Sequence, residues 1–178
     1  MKNLLLLIIF IPSFAFAVNE GDFSIEMTGF GISHHFKDRK DTIVQPKWSP
    51  FGEEPTTTTV SHDWNETNFG LGVSLVYHAE RNFDVSLNVG SYNDSYFNQA
   101  KFAMVGFRKI LGDRNSWNIS AGPYFGYYDG SGFNGYGGML VCRISYDRFG
   151  LNFTGFPPTS SDQNGFIAAF VTYRMLTF

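Results

Sequence analysis

Phe69–Tyr77 reads FGLGVSLVY, and its pattern decides the fold. Phe69, Leu71, Val73, Leu75 and Tyr77 alternate with Gly70, Gly72, Ser74 and Val76. Side chains two residues apart share one face of a strand, whereas a helix brings together residues three and four apart. The period here is two. The same period recurs along the chain. Phe23, Ile25 and Met27 alternate with Ser24, Glu26 and Thr28, and Phe83, Val85, Leu87 and Val89 follow the first stretch. Ala103, Val105 and Phe107 mark a fourth strand, and Trp117, Ile119, Ala121, Pro123 and Phe125 a fifth. Tyr136, Gly138, Leu140, Cys142 and Ile144 mark a sixth, Leu151 and Phe153 a short seventh, and the eighth runs from about Phe166 to Phe178.

Composition agrees with this reading. The 178 residues include 20 Phe, 9 Tyr, 3 Trp and 19 Gly, yet mean hydropathy is slightly negative. A chain so rich in aromatics without bulk apolarity is one that alternates, and alternation marks a membrane β-barrel. The connections alternate too. Those at Ala79–Asn82, Gly112–Asn115 and Asp147–Arg148 are tight and charged, whereas His34–Trp64, Tyr92–Ala100, Asp129–Asn134 and Pro157–Gly165 are longer. Starting from a periplasmic N-terminus, this is the order of short periplasmic turns and long external loops. The expected fold is all-β: an eight-stranded antiparallel transmembrane β-barrel of the outer-membrane type. A soluble sandwich or lipocalin-like barrel also has short alternating strands, but needs neither a terminal Phe178 nor so many aromatics near strand ends. Strict alternation sets Arg174 on the face of Phe178. The long first connection has no periodicity and is expected to be a mobile external loop.

The first residues address the chain. Lys2, the apolar run Leu4–Ile11 and the small-residue end Ala15–Phe16–Ala17 have the layout of a secretory signal peptide cleaved before Val18. The run is too short for a spanning helix, and Pro12 interrupts it. Residues 1–17 are thus expected to be removed and 18–178 to form one domain in the bacterial outer membrane. The formal charge of −3 falls by one when Lys2 is lost, which leaves no footprint for nucleic acid. The single Cys142 excludes an internal disulfide. With four scattered histidines and no CxxC or HExxH, neither a metal nor a cofactor is expected. The expected assembly is a monomer.

The polar groups gain positions from this topology. His34 and His35 lie where strand one enters the first external loop, and Asp94 and Ser95 where strand three enters the second. A histidine can take a proton from a hydroxyl, and a carboxylate can orient the imidazolium. A Ser and an Asp in a loop are, equally, common turn residues. Adjacent strand residues point to opposite faces, so Asp94 and Ser95 can share a site only if the strand bends or ends there. The Gly-rich GSGFNGYGG at 130–138 has no following helix to present an N-terminal dipole to phosphate, and its glycines fit close packing along a strand instead.

Four segments resemble the lipid A palmitoyltransferase (PagP) family of small outer-membrane barrels: GISHHF at 31–36, NETNFGLGVSLVY at 65–77, YNDSYFN at 92–98, and the Pro-containing stretch to the final Phe at 151–178. The resemblance spans Thr28 to Phe178 and rests on the order and spacing of these segments. It implies an enzyme that moves a palmitoyl chain from a glycerophospholipid to a hydroxyl of lipid A. The implied site is His35 as base, Asp94 as its partner and Ser95 as a hydroxyl near the scissile ester. His34 is the alternative, because strict alternation from Ser24 and Thr28 turns it inward. The family has an amphipathic helix before its first strand; here only VNEGD separates the cleavage site from strand one. An acyl pocket would be lined by Phe30, Ile32, Met104, Tyr124, Met139 and Val141. The alternatives are a non-enzymatic barrel with partner-binding loops, whose interior should be filled by interlocking polar side chains, and a related lipid hydrolase.

Overall fold

The structure is a computed structural model that describes residues 17–36, 39–45, 56–131, 133–156 and 165–178. The strands, in chain order, are β1 (Phe23–His35), β2 (Arg39–Gln45), β3 (Thr56–His62), β4 (Thr67–Glu80), β5 (Phe83–Asn93), β6 (Gln99–Gly112), β7 (Trp117–Gly130), β8 (Phe133–Tyr146), β9 (Phe149–Phe156) and β10 (Phe166–Thr177). Eight of them, all but β2 and β3, close into an antiparallel barrel of the outer-membrane type, sealed by β1 between β4 and β10. The eight strands read from the alternating pattern are these eight. The signal-peptide residues 1–16 lie outside the described residues, as do 157–164 of the last long connection.

Two connections differ from expectation. The first, expected to be a loop, contains strand: β2 and β3 form an antiparallel ribbon from Arg39↔His62 to Gln45↔Thr56, and residues 37–38 and 46–55 lie outside the described ones. Ile43 and Val44 pair there with Thr58 and Thr57, and β-branched residues favour extended pairing. The second, Asp129–Asn134, is mostly strand, because β7 and β8 stay paired as far as Gly130↔Phe133.

The barrel is inside out relative to a globular core. Leu71 is 68% exposed, while Val76 on the opposite face is fully buried. Leu87, Ile119, Phe125, Leu140, Ile144 and Val171 are likewise exposed, and Glu26, Asp84, Arg108 and Arg143 are buried. A continuous apolar exterior around a polar interior suits hydrocarbon surroundings. Aromatics crowd the end where the short turns lie. Trp117 packs on Tyr146 at 4.9 Å, Phe149 on Tyr173 at 4.9 Å, and Phe23 on Tyr77 at 4.8 Å. Such girdles sit at the boundary between lipid and water.

The C-terminal strand carries a bulge. Ile25 pairs with Leu176 but Glu26 with Arg174, so Met175 is the extra residue. It reverses the alternation, and Arg174 is buried while Phe178 is exposed. The two do not share a face. Phe178 joins β1 through two backbone hydrogen bonds with Phe23, of 2.8 and 2.9 Å.

Inside, the barrel is filled in two tiers. Near the turn end is a charged tier. Arg143 donates to Glu26 (2.7 Å) and to the Ser145 hydroxyl (2.9 Å). Asp84 accepts from Arg108 (3.2 Å) and Arg114 (2.8 Å) and pairs with His78 Nδ1 (2.8 Å). Gly150 makes room for this tier: a Cβ there would lie 2.2 Å from Arg143 Nε. Toward the other end, Met104, Tyr124 and Val141 pack together with Phe102, Tyr128, Met139 and Phe170. Gly106 admits Tyr124, whose ring would stand 2.7 Å from an added Cβ. Of the residues expected to line an acyl pocket, Met104, Tyr124, Met139 and Val141 belong to this packed layer. Ile32 instead points outward, 63% exposed, and the Phe30 side chain lies outside the described ones.

Candidate functional site

The end of the barrel opposite the short turns gathers the predicted residues. Asp94 follows the last residue of β5 and is completely buried. An aspartate at a strand end readily accepts hydrogen bonds from backbone amides just ahead of it. Asp94 Oδ1 accepts from Tyr96 N (2.9 Å) and Asn98 N (2.8 Å), and Oδ2 accepts from Ser131 N beyond β7. Its backbone N–H donates to Asn98 O at 2.7 Å. One carboxylate thereby closes its own loop and ties it to the neighbouring hairpin. The loop it closes holds Phe97 at φ 64°. A bulky residue is strained in that left-handed region. The Phe97 ring is 69% exposed.

Ser95 is buried beside Asp94, and its Oγ lies 3.5 Å from Ser33 Oγ. His35 stacks face to face on Trp64, with ring centroids 4.2 Å apart and planes 12° apart, and also on Phe166. Trp64 meets Tyr96 edge-on at 5.1 Å. The Nδ1 of His35 is buried without a hydrogen-bond partner among the described residues. His34 is exposed and pairs with Glu66 at 3.0 Å.

A register shift in β1 decides between the two histidines. Pairing slips between Gly29 and Gly31 against both β4 and β10. Before the slip the inward residues are Ser24 and Glu26; after it, Ser33 is buried and His34 and Ile32 are exposed. Strict alternation, which turned His34 inward, fails at this irregularity.

The rim therefore brings His35, Ser95 and Asp94 into one neighbourhood without joining them as a relay. Among the described residues, the carboxylate partners of Asp94 are backbone amides, and the hydroxyl neighbour of Ser95 is Ser33. Trp64, Tyr96, Asn65 and Ser33 complete this neighbourhood; Ser33, Asn65 and Tyr96 lie in the segments that carry the resemblance without being singled out there, and Trp64 lies in none of them. Asn65 Nδ2 donates to Asp94 O at 2.9 Å, joining the base of the β3–β4 connection to the same loop. Beside Asp94, a cleft of about 240 Å³ lies against Asn98, Gln99, Asp129 and Phe133. The charged tier has only about 20 Å³ of free space. No group of three or more His, Cys, Asp or Glu capable of holding a metal occurs among the described residues.

No protein-family model matches the chain, and no curated protein matches it. Among solved structures it is similar to the N-terminal β-barrel domain of Pseudomonas aeruginosa OprF, with 13% identity over 88% of this chain and 98% of that one and a TM-score of 0.40.

Proposed function

We propose that the chain is a small outer-membrane barrel that works through its loop end as a partner-binding surface, without processing lipid inside the barrel. The observation that carries this reading is the filled interior. Ligand sites occupy roughly 300–1,000 Å³ of concave space, whereas the charged tier leaves room for about one water, 20 Å³. In the apolar tier Met104, Tyr124 and Val141 pack together, with Phe102, Tyr128, Met139 and Phe170 packed against them. Asp94 supports the same reading, since its carboxylate builds the loop that displays Phe97. Export through the N-terminal signal and residence in the outer membrane belong to this proposal. N-terminal sequencing of the protein from outer-membrane fractions should begin at Val18.

A second reading, acyl transfer from a glycerophospholipid to lipid A, is favoured by one observation: the buried Nδ1 of His35 has no hydrogen-bond partner among the described residues, on the strand whose Ser33 Oγ lies 3.5 Å from Ser95 Oγ. In that reading His35 is the base, Ser95 the hydroxyl near the ester, and Asp94 their support. One assay separates the readings. Radiolabelled phospholipid and lipid A are incubated with the wild-type protein, Ser95→Ala and His35→Ala. The first reading expects no labelled lipid A and no free fatty acid in any sample. Label on lipid A that vanishes in both variants establishes acyl transfer and overturns the first reading. Label appearing only as free fatty acid points to a hydrolase.

A further inference from the structure

The charged tier contains more positive than negative charge, and the surplus is buried. Four guanidinium groups line its small cavity: Arg108, Arg114, Arg143 and Arg174. Each is buried. Arg174 is held at the mouth by Asp147, at 3.0 Å to the carbonyl and 3.4 Å to the carboxylate. The remaining three share two carboxylates, Glu26 and Asp84. His78 is the other titratable group facing this space. Its Nδ1 meets Asp84, and its Nε2 lies 2.7 Å from Ser24 Oγ, so in its neutral form it leaves the balance unchanged. Among the described residues, one positive charge has no counterpart.

Hydrogen bonding shows the same deficit. Arg108 Nε and Arg114 Nε are buried and have no hydrogen-bond partner among the described residues. Both side chains line the cavity. A buried N–H without an acceptor is destabilising, more so when the group is charged, and buried charge is ordinarily neutralised by a partner. The other cavity-lining groups include neutral donors, Asn118, Ser120 and Ser145.

We infer that the turn-end cavity among Arg108, Arg114 and Arg143 binds one small monovalent anion of the halide class. The charge count sets the valence, since a single negative charge balances the tier. The free volume of about 20 Å³ sets the size: one water-sized species fits and phosphate does not. The mouth lies at the short turns, where Asp147 and Arg114 both sit. The anion therefore enters from that end and serves as an internal counter-ion.

Bromide is the probe. The full chain is refolded into detergent micelles and titrated with sodium bromide at constant ionic strength, sodium gluconate making up the difference. Thermal unfolding should rise to a plateau with bromide, and gluconate, too large for the cavity, should not reproduce it. Equal effects of the two salts overturn the inference. In Glu26→Gln the surplus grows by one charge, so half-saturation should move to bromide concentrations on the order of tenfold lower. An unchanged or higher midpoint overturns it as well. Arg108→Met should abolish the bromide-specific plateau. If that variant does not fold, the wild-type protein decides: crystals soaked in bromide should show an anomalous peak between Arg108 and Arg114, and an empty cavity overturns the site.

Discussion

Two buried aspartates, Asp84 and Asp94, sit at opposite ends of β5 and do different work with the same functional group. Asp84 accepts from side chains on other strands and turns: His78, Arg108 and Arg114. Asp94 accepts from backbone amides, two in its own loop and one in the next hairpin. The first joins strands through the barrel interior. The second shapes a loop. A carboxylate matched to guanidinium groups is part of a network that fails together, whereas one matched to backbone N–H groups controls a local conformation. The turn end is therefore held by a side-chain network across the interior, and the loop end, under the proposed function, is the half that presents groups to a partner.

The strongest way to break this contrast is Asp84→Asn. It leaves two guanidinium groups without their shared carboxylate, and stability should fall by about 3–5 kcal/mol. Urea unfolding of the refolded barrel measures it, and a loss no larger than that of Asp94→Asn would erase the distinction. Gly106→Ala tests the packed layer between the two ends. The new methyl meets the Tyr124 ring and Ser86 Oγ at 2.7 Å, and overpacking of this kind costs about 1–3 kcal/mol. The same unfolding transition should report it globally.

Asp94→Asn sharpens the comparison from the other end. An amide oxygen retains the bonds from Tyr96 and Asn98, while the NH₂ group cannot accept from Ser131 N. The loss should be about 1 kcal/mol and local. Hydrogen exchange should quicken at Ser131 while the β5 and β6 ladder amides stay protected. Phe97→Gly should have the smallest effect and the opposite sign. Glycine adopts a positive φ without strain, so the loop should gain up to about 1 kcal/mol before the entropy of the freer unfolded chain is counted against it. Proteolytic nicking between Tyr96 and Asn98 measures the outcome. Loss of partner binding in the same variant would show that the displayed ring, not loop order, makes the contact.

The legible part of the molecule was what depends on near neighbours in the chain. Phe69–Tyr77 could be read as a strand with one lipid-facing side because each side chain is paired with its own i+2 neighbours. The girdle residues Trp117, Tyr146 and Phe149 could be placed near strand ends for the same reason. Asp94 and Ser95 could be singled out as candidates because they stand where the alternation stops. The charged tier was harder to read. Glu26 and Arg143 are 117 positions apart, and nothing local to either predicts the other. An Arg among the inward residues of β6, β8 and β10 was the available signal, and it becomes informative only when the strands are laid side by side.

Sequence alone determined the alternation, the number of barrel strands and the reversal of apolar and polar faces, because a period of two is a property of consecutive residues. Tertiary structure decided the phase of that alternation. The slip at Gly29–Gly31 turned His34 out, and the bulge at Met175 separated Arg174 from Phe178. Both are mismatches between one strand and its partners, so they exist only once the barrel has closed. Closure also decided which groups meet Asp84 across the interior and brought Ser131 N to Asp94 from the next hairpin.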